Sequence, residues 1–181
     1  MEFNLAQVHE AIADAIPDRV CVALPDRRVT FGEMQRRTRR LANCLGARGL
    51  GCKTERGRLA NHESGQDHVA LYLYNSVEYL EGMLGAYKAR AAPFNVNYRY
   101  VDEELVYLLR DARARAIVYH ASFAPTLARI RAKLPLLDVL LQVDDGTATR
   151  LLPGAVDYEA ALASASDARP GTEWSPDDLY I

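Results

Sequence analysis

The stretch His68-Val-Ala-Leu-Tyr-Leu-Tyr74, Asn75-Ser-Val-Glu-Tyr-Leu-Glu-Gly-Met-Leu-Gly-Ala-Tyr-Lys-Ala-Arg90, Ala91-Ala-Pro-Phe-Asn-Val-Asn-Tyr-Arg-Tyr100 decides the fold. Its first run is almost continuously apolar and rich in strand formers, the pattern of a strand buried on both faces. Its second run has Val77, Leu80, Leu84, Tyr87 and Ala91 at three-and-four spacing, the period of a helix. Its third returns to a short strand with Pro93 near the start, where a missing N–H does least harm. Strand, helix and strand in this length form a βαβ unit, with parallel strands and a right-handed crossover.

The same alternation continues downstream. Asp102, Glu103 and Glu104 open a helix, because acidic groups favour the positive end of its dipole. Its buried side is Leu105, Val106, Leu108, Leu109 and Ala112. Ala116 to Tyr119 reads as a strand and residues 122–134 as a helix with Pro125 in its first turn. Asp138 to Val143 is another apolar strand. From His68 to Val143 the order is therefore βαβαβαβ, an α/β pattern.

Upstream, residues 3–16 read as an amphipathic helix with Leu5, Val8, Ile12 and Ile16 on one side, stopped by Pro17. Val20 to Leu24, the turn Pro25-Asp26-Arg27-Arg28 and a strand from Val29 form a β-hairpin. Thr30 and Glu33 fit a capping box for a helix running to about Arg48. Asn75 and Glu78 fit a second one. Residues 51–67 are polar and patternless, a loop longer than most. Residues 144–177 are an irregular segment with a short helix at Asp157 to Ala163. Asp178-Leu179-Tyr180-Ile181 resembles the first residues of a strand, which suggests a chain cut within a domain. The expected architecture is α/β: a mixed, largely parallel sheet flanked by helices, with an N-terminal β-hairpin.

Bulk properties narrow the function classes. At 181 residues the chain can bury one core, roughly 70% of its unfolded surface, or form part of a larger domain. A formal charge of −2 gives no electrostatic case for nucleic acid. Met1-Glu-Phe-Asn-Leu5 lacks the basic and apolar regions of a signal peptide, and no apolar run reaches the roughly 20 residues of a membrane span. Cys21, Cys44 and Cys52 are odd in number and close in sequence, which fits free thiols in a reducing, cytoplasmic setting.

No catalytic set emerges from spacing. The turn after Tyr74 is Asn75-Ser76, without the glycines of a dinucleotide fingerprint. Gly46, Gly49 and Gly51 suit a helix end and turn. His9, His62, His68 and His120 are scattered, Cys44 and Cys52 lack ligand spacing, and no metal site follows. Arg36, Arg37, Arg39 and Arg40 fit a solvated helix face better than a phosphate patch, given the acidic balance. The tyrosines at 72, 74, 79, 87, 98, 100 and 107 read mostly as core or half-buried residues, and Gly82, Gly85 and Ala89 as a small-residue strip that lets the helix lie close to the sheet. Arg99 in Asn97-Tyr98-Arg99 follows the carboxyl end of a parallel strand, where open α/β sheets place ligands. It could clamp a phosphate with its fork of donors, or pair with Asp102 or Glu103 at the surface.

The placed residues also form a familiar series. Thr30-Phe31-Gly32-Glu33-Met34 with Arg40-Leu41-Ala42 and Leu45 resembles the Thr-Tyr-x-Glu-Leu…Arg-Leu-Ala…Leu opening of acyl-CoA synthetases in the adenylate-forming superfamily. Gly65-Gln66-Asp67-His68-Val69-Ala70 resembles their strand entry, and Asn75-Ser76-Val77-Glu78 with Leu84-Gly85-Ala86-Tyr87-Lys88-Ala89 their following helix. Asn95-Val96-Asn97-Tyr98-Arg99-Tyr100 resembles their Leu-Asn-x-Arg segment, with wording closest to fatty-acyl and steroid side-chain CoA ligases. Glu104-Leu105-Val106-Tyr107-Leu108-Leu109 resembles the helix after it. Two departures stand out: Arg90 replaces the usual glycine after Lys-Ala, and residues 52–64 are extra.

The resemblance implies an N-terminal AMP-binding-type subdomain over residues 1–181, with 51–67 as a loop insertion. It implies a parent enzyme of fatty acid and lipid metabolism, an acid–thiol ligase using ATP, magnesium and CoA on a fatty or steroid side-chain carboxylic acid. The family's glycine-rich phosphate loop would follow Ile181 and is not in this sequence, so the chain alone is expected to be inactive and to bind these groups poorly. Arg99 carries over as a contact to CoA phosphate. The other reading is a stand-alone α/β binding module, partnered by a second copy or a complementing chain that completes its sheet.

Overall fold

The computed structural model describes residues 3–179. Helix α1 (Leu5–Ala15) precedes the antiparallel hairpin of β1 (Val20–Ala23) and β2 (Arg28–Thr30), which runs into α2 (Phe31–Ala47). After loop 51–67 come β3 (His68–Tyr72), α3 (Val77–Lys88), β4 (Ala92–Asn95), α4 (Asp102–Asp111) and β5 (Ala114–His120). The loop holds a 3-10 turn (Arg56–Arg58); a second 3-10 turn (Ala121–Phe123), α5 (Ala124–Ile130), a third (Arg131–Lys133), β6 (Val139–Val143), β7 (Val156–Asp157) and α6 (Tyr158–Ala163) complete the order.

One sheet of five strands, all parallel, has the spatial order β4-β3-β5-β6-β7. Alternate residues feed two cores, as strand geometry requires. Val69, Leu71, Ala116, Val118, Leu141 and Val143 pack on α2, α3 and α6. Ala70, Tyr72, Ile117, Tyr119 and Leu140 pack on α4 and α5. Both faces are covered, which is why β3 reads as an apolar run rather than an alternation.

Local chemistry sets the helix starts. The Thr30 hydroxyl accepts the Glu33 N–H at 3.2 Å, as a cap should. The expected second box is not formed: Ser76, not Asn75, caps α3 by accepting the Tyr79 N–H at 3.2 Å, and the third helical position is then Tyr79 rather than Glu78. Gly82 and Gly85 do allow close approach, against different neighbours. A Cβ on Gly82 would lie 2.6 Å from a Leu71 methyl on the sheet, and one on Gly85 would lie 2.6 Å from Leu41 of α2.

Several expectations are corrected. The Leu5, Ile12 and Ile16 side of the first helix faces outward, and α1 instead buries Ala6, His9, Glu10 and Ala13. A buried ion network explains the inversion. Glu10 accepts from Arg39 and pairs with the fully buried Lys88, whose ammonium also donates to Thr38 at 2.8 Å. Leu80 is likewise 40% exposed rather than core. The 122–134 helix is broken into α5 and its flanking 3-10 turns, and β7 lies within the irregular segment, pairing Leu141 with Val156. Asp178 and Leu179 are not in a strand, and Tyr180 and Ile181 lie outside the described residues.

Candidate functional site

The strand order reverses direction between β3 and β5, and open parallel sheets bind ligands beyond the carboxyl ends of the strands at such a point. Here the chain places an aromatic group. Tyr74 follows β3, Tyr98 follows β4, His120 ends β5 and Phe123 lies in the 3-10 turn after it. The Tyr74 ring lies 5.0 Å from Tyr98, 4.8 Å from Phe123 and 5.6 Å from His120, and Phe123 stacks on Tyr72 at 4.2 Å. Tyr74 and Tyr98 keep 44% and 43% of their surface, so the group is a half-open aromatic platform rather than core.

His120 fixes this platform. Its Nδ1 accepts the Tyr74 N–H at 3.0 Å, which leaves the proton on Nε2. Burial disfavours its charged form and lowers its pKa, only partly opposed by Asp145 and Glu78. A neutral imidazole therefore holds the backbone at the end of β3.

Arg99 stands at the rim of the same platform. It is exposed, its guanidinium lies 5.6 Å from the Tyr98 ring centroid, and its N–H donates to Asn97 Oδ1 at 3.0 Å in a tight turn. Among the described residues it forms no salt bridge. The expected surface partner Asp102 is taken by Arg129 at 2.7 Å. A free fork of donors beside aromatic faces can bind an anionic group and stack a planar one. The arrangement suits binding and orienting a ligand.

The other candidates fall away. Of the arginine cluster, Arg37 bridges Glu81 and Glu159 at 2.5 Å each, Arg39 pairs with Glu10, and Arg40 lies 3.6 Å from Asp167. These guanidiniums are neither a phosphate patch nor merely solvated; they bolt α2 to α1, α3 and α6. An open groove of about 580 Å³ at the opposite edge has several of its polar groups already engaged, with Lys53 and Arg115 on Asp67 and His68 between Ser64 and the Ala112 carbonyl. Among the described residues, no group of three or more His, Cys, Asp or Glu side chains could hold a metal ion. No helix there is long and apolar enough to cross a membrane. Among the described residues, the turn after β3 carries no glycine cradle for ATP, and no donor set for magnesium is gathered.

Arg99 stands out in the sequence by its place after a strand end; its aromatic neighbours do not. Tyr74, Tyr98, Tyr100 and Tyr107 read from the sequence as core or half-buried residues, yet all four are exposed. The available signal was position: Tyr74, Tyr98 and His120 each lie within three residues of the carboxyl end of a parallel strand.

Comparison with known proteins gives a consistent result. The family described as AMP-binding enzyme matches residues 9–181. The chain is 52% identical to the medium-chain acyl-CoA ligase Mig of Mycobacterium avium, over 99% of this chain and 32% of the relative. It is 34% identical to the 3-oxocholest-4-en-26-oate--CoA ligase of Rhodococcus rhodochrous, over 100% of this chain and 30% of the relative. In fold it is similar to the anthranilate CoA ligase AuaEII in complex with anthranoyl-AMP, with a TM-score of 0.82 at 21% identity, over 98% of this chain and 31% of that one. The chain thus spans about a third of the length of the curated relatives it matches.

Proposed function

This chain belongs to the AMP-binding enzyme family, and from that premise we propose that it is the N-terminal portion of an acyl-CoA synthetase. The parent reaction would activate a fatty or steroid side-chain carboxylate with ATP to an acyl-adenylate and then form the CoA thioester. The observation that carries this reading is the 52% identity over 99% of the chain to a medium-chain acyl-CoA ligase.

In this reading the 181 residues are scaffold. The sheet and its aromatic platform form one wall of the site, and Arg99 contacts a phosphate of CoA at the rim. A phosphate loop, magnesium and the adenylate would be held by residues outside this sequence, so the chain alone carries out neither step. Free Cys21, Cys44 and Cys52 support a reducing, cytoplasmic setting.

The test is a chimera. Residues 3–179 replace the matching third of the Mycobacterium avium ligase, and carboxylate-dependent AMP release is measured with a medium-chain fatty acid, CoA and magnesium-ATP. Turnover by the chimera, with none by the 181-residue chain, is expected. A folded but inert chimera, or ATP–pyrophosphate exchange by the short chain, overturns the reading. A stand-alone binding module would instead show as a stable complex with a separate chain.

A further inference from the structure

The two departures from the family pattern meet at one guanidinium. Arg90 follows α3 with φ +55°, in the left-handed region where a side chain costs about 1 kcal/mol or more. Its side chain joins two carboxylates, with Nη2 shared between them. Nε and Nη2 donate to Asp178 at 3.0 and 2.8 Å, and Nη1 and Nη2 donate to Glu55 at 2.8 Å each. Glu55 belongs to the 51–67 loop; Asp178 belongs to the segment that follows Trp174.

The loop has little else to hold it. None of residues 52–64 is buried. Its two limbs close on each other as backbone: Lys53 N–H donates to the Gly65 carbonyl at 2.7 Å, and a Cβ on Gly65 would lie 1.9 Å from the Thr54 carbonyl oxygen. Arg56 ties its interior by donating to the Glu63 and Ala60 carbonyls at 2.7 and 2.9 Å. Near its base it is held by Lys53 on Asp67 and the Gly49 carbonyl and by Ser64 on His68; farther out it is joined through Glu55 on Arg90, and beside Asp67 through Gln66, which accepts the Leu179 N–H at 2.6 Å. The last two joints lead to the 174–179 segment.

The two halves of the Arg90 bridge differ in strength. Asp178 is 4% exposed and also accepts from Asn4 Nδ2 at 3.1 Å and from the Ser175 N–H at 3.2 Å. Trp174 donates to the Lys88 carbonyl at 2.8 Å, which anchors the same segment to the end of α3. Glu55 is 60% exposed, so water and salt weaken its half.

We propose that residues 52–64 form a strap latched to the 174–179 segment by Arg90, with a releasable hinge at Glu55 and a permanent one at Asp178. Opening the strap leaves the segment in place; removing Arg90 frees the strap and loosens the segment, which keeps its Trp174 and Asn4 anchors. The device makes the exposure of this loop depend on ionic strength, independently of whether the acyl-CoA synthetase reading holds.

Hydrogen exchange on the 181-residue chain tests it. Glu55→Gln is expected to speed exchange across 52–64 about tenfold at low salt while 174–179, β3 and β5 stay protected. High salt on the unsubstituted chain is expected to reproduce that pattern. Arg90→Gly, which suits the local backbone, is expected to speed exchange in both segments, more in 52–64 than in 174–179. Unchanged exchange of 52–64 in Glu55→Gln, or equal release of 174–179, overturns the proposal. Glu55 is a surface residue, so this variant remains decisive even where Arg90→Gly unfolds.

Discussion

Lys88 and Glu10 form an ion pair with the lysine side chain fully buried and the glutamate 2% exposed. Burial pulls the Lys88 pKa down to about 8 against the pull of Glu10, and cationic partners hold the Glu10 carboxyl below its usual value despite its burial. Removing Glu10 strands Lys88, which typically costs about 3–5 kcal/mol, whereas removing Lys88 leaves Glu10 paired with Arg39. We predict that Glu10→Gln destabilises the chain on this scale in urea unfolding and Lys88→Met by less. The double variant should cost clearly less than the two singles together. Strict additivity would mean that the pair carries no coupling.

His9 gives a pH dependence with a definite sign. Neither ring nitrogen has a hydrogen-bond partner, and the ring packs beside Phe31. Burial first and then Lys88 lower its pKa from 6.5 to about 4; Glu10 opposes them and Arg39 adds to them. In this window the unfolded chain binds more protons than the folded one, so stability falls as pH drops from about 6.5 towards 4. Glu10, whose folded pKa lies below 4.5, loses its contribution only at the acid end of that range. We predict that His9→Phe flattens the stability profile between pH 6.5 and 5. A variant profile parallel to that of the unsubstituted chain would refute this.

The paired glycines of α3 should respond differently to alanine. At Gly82 the new Cβ meets only the end of the Leu71 side chain closely, at 2.6 Å, and the helix gains about 1 kcal/mol of propensity. At Gly85 it meets Leu41 Cδ2, Cγ and Cβ at 2.6, 2.8 and 2.9 Å, which a rotamer change cannot relieve. Gly82→Ala is expected to be near neutral and Gly85→Ala to cost about 1–3 kcal/mol, read from denaturation midpoints. The reverse ranking would show that α2, not the sheet, is the yielding neighbour.

Arg99→Ala is the test of the one contact carried over to CoA. In the chimera it is expected to raise KM for CoA about tenfold, the scale of one charge-assisted hydrogen bond, while leaving carboxylate-dependent pyrophosphate exchange unchanged. An effect on exchange alone would place Arg99 elsewhere in the reaction.

The sheet was legible because a strand covered on both faces has no alternative pattern: Val69 to Tyr72 and Leu140 to Val143 could be little else. The hairpin and the Thr30 cap were legible from turn and cap chemistry. What failed did so for one reason. Periodicity says which residues share a side, not which way that side faces. In α1 the stripe of Leu5, Ile12 and Ile16 was found correctly, yet the ion network of Glu10, Arg39 and Lys88 turned the opposite side inward. That network joins residues far apart in sequence. The aromatic platform was hidden similarly, since Tyr74 and His120 are brought together only by the pairing of β3 with β5. The joining of Arg90 to Glu55 and Asp178 was also beyond any local pattern.

Pro93 has a wider consequence. Strand β4 lies at one edge of the described sheet, and Ala92 and Val96 direct their N–H groups to the Asp67 and Leu71 carbonyls on the β3 side. By alternation, the N–H positions of this strand turned outward are 93 and 95, and the first carries no hydrogen. A foreign strand arriving there would find a single backbone donor, at Asn95, whose side chain is already engaged by Tyr79. The edge is a poor template for accretion, so one imino acid acts as a built-in guard against self-association.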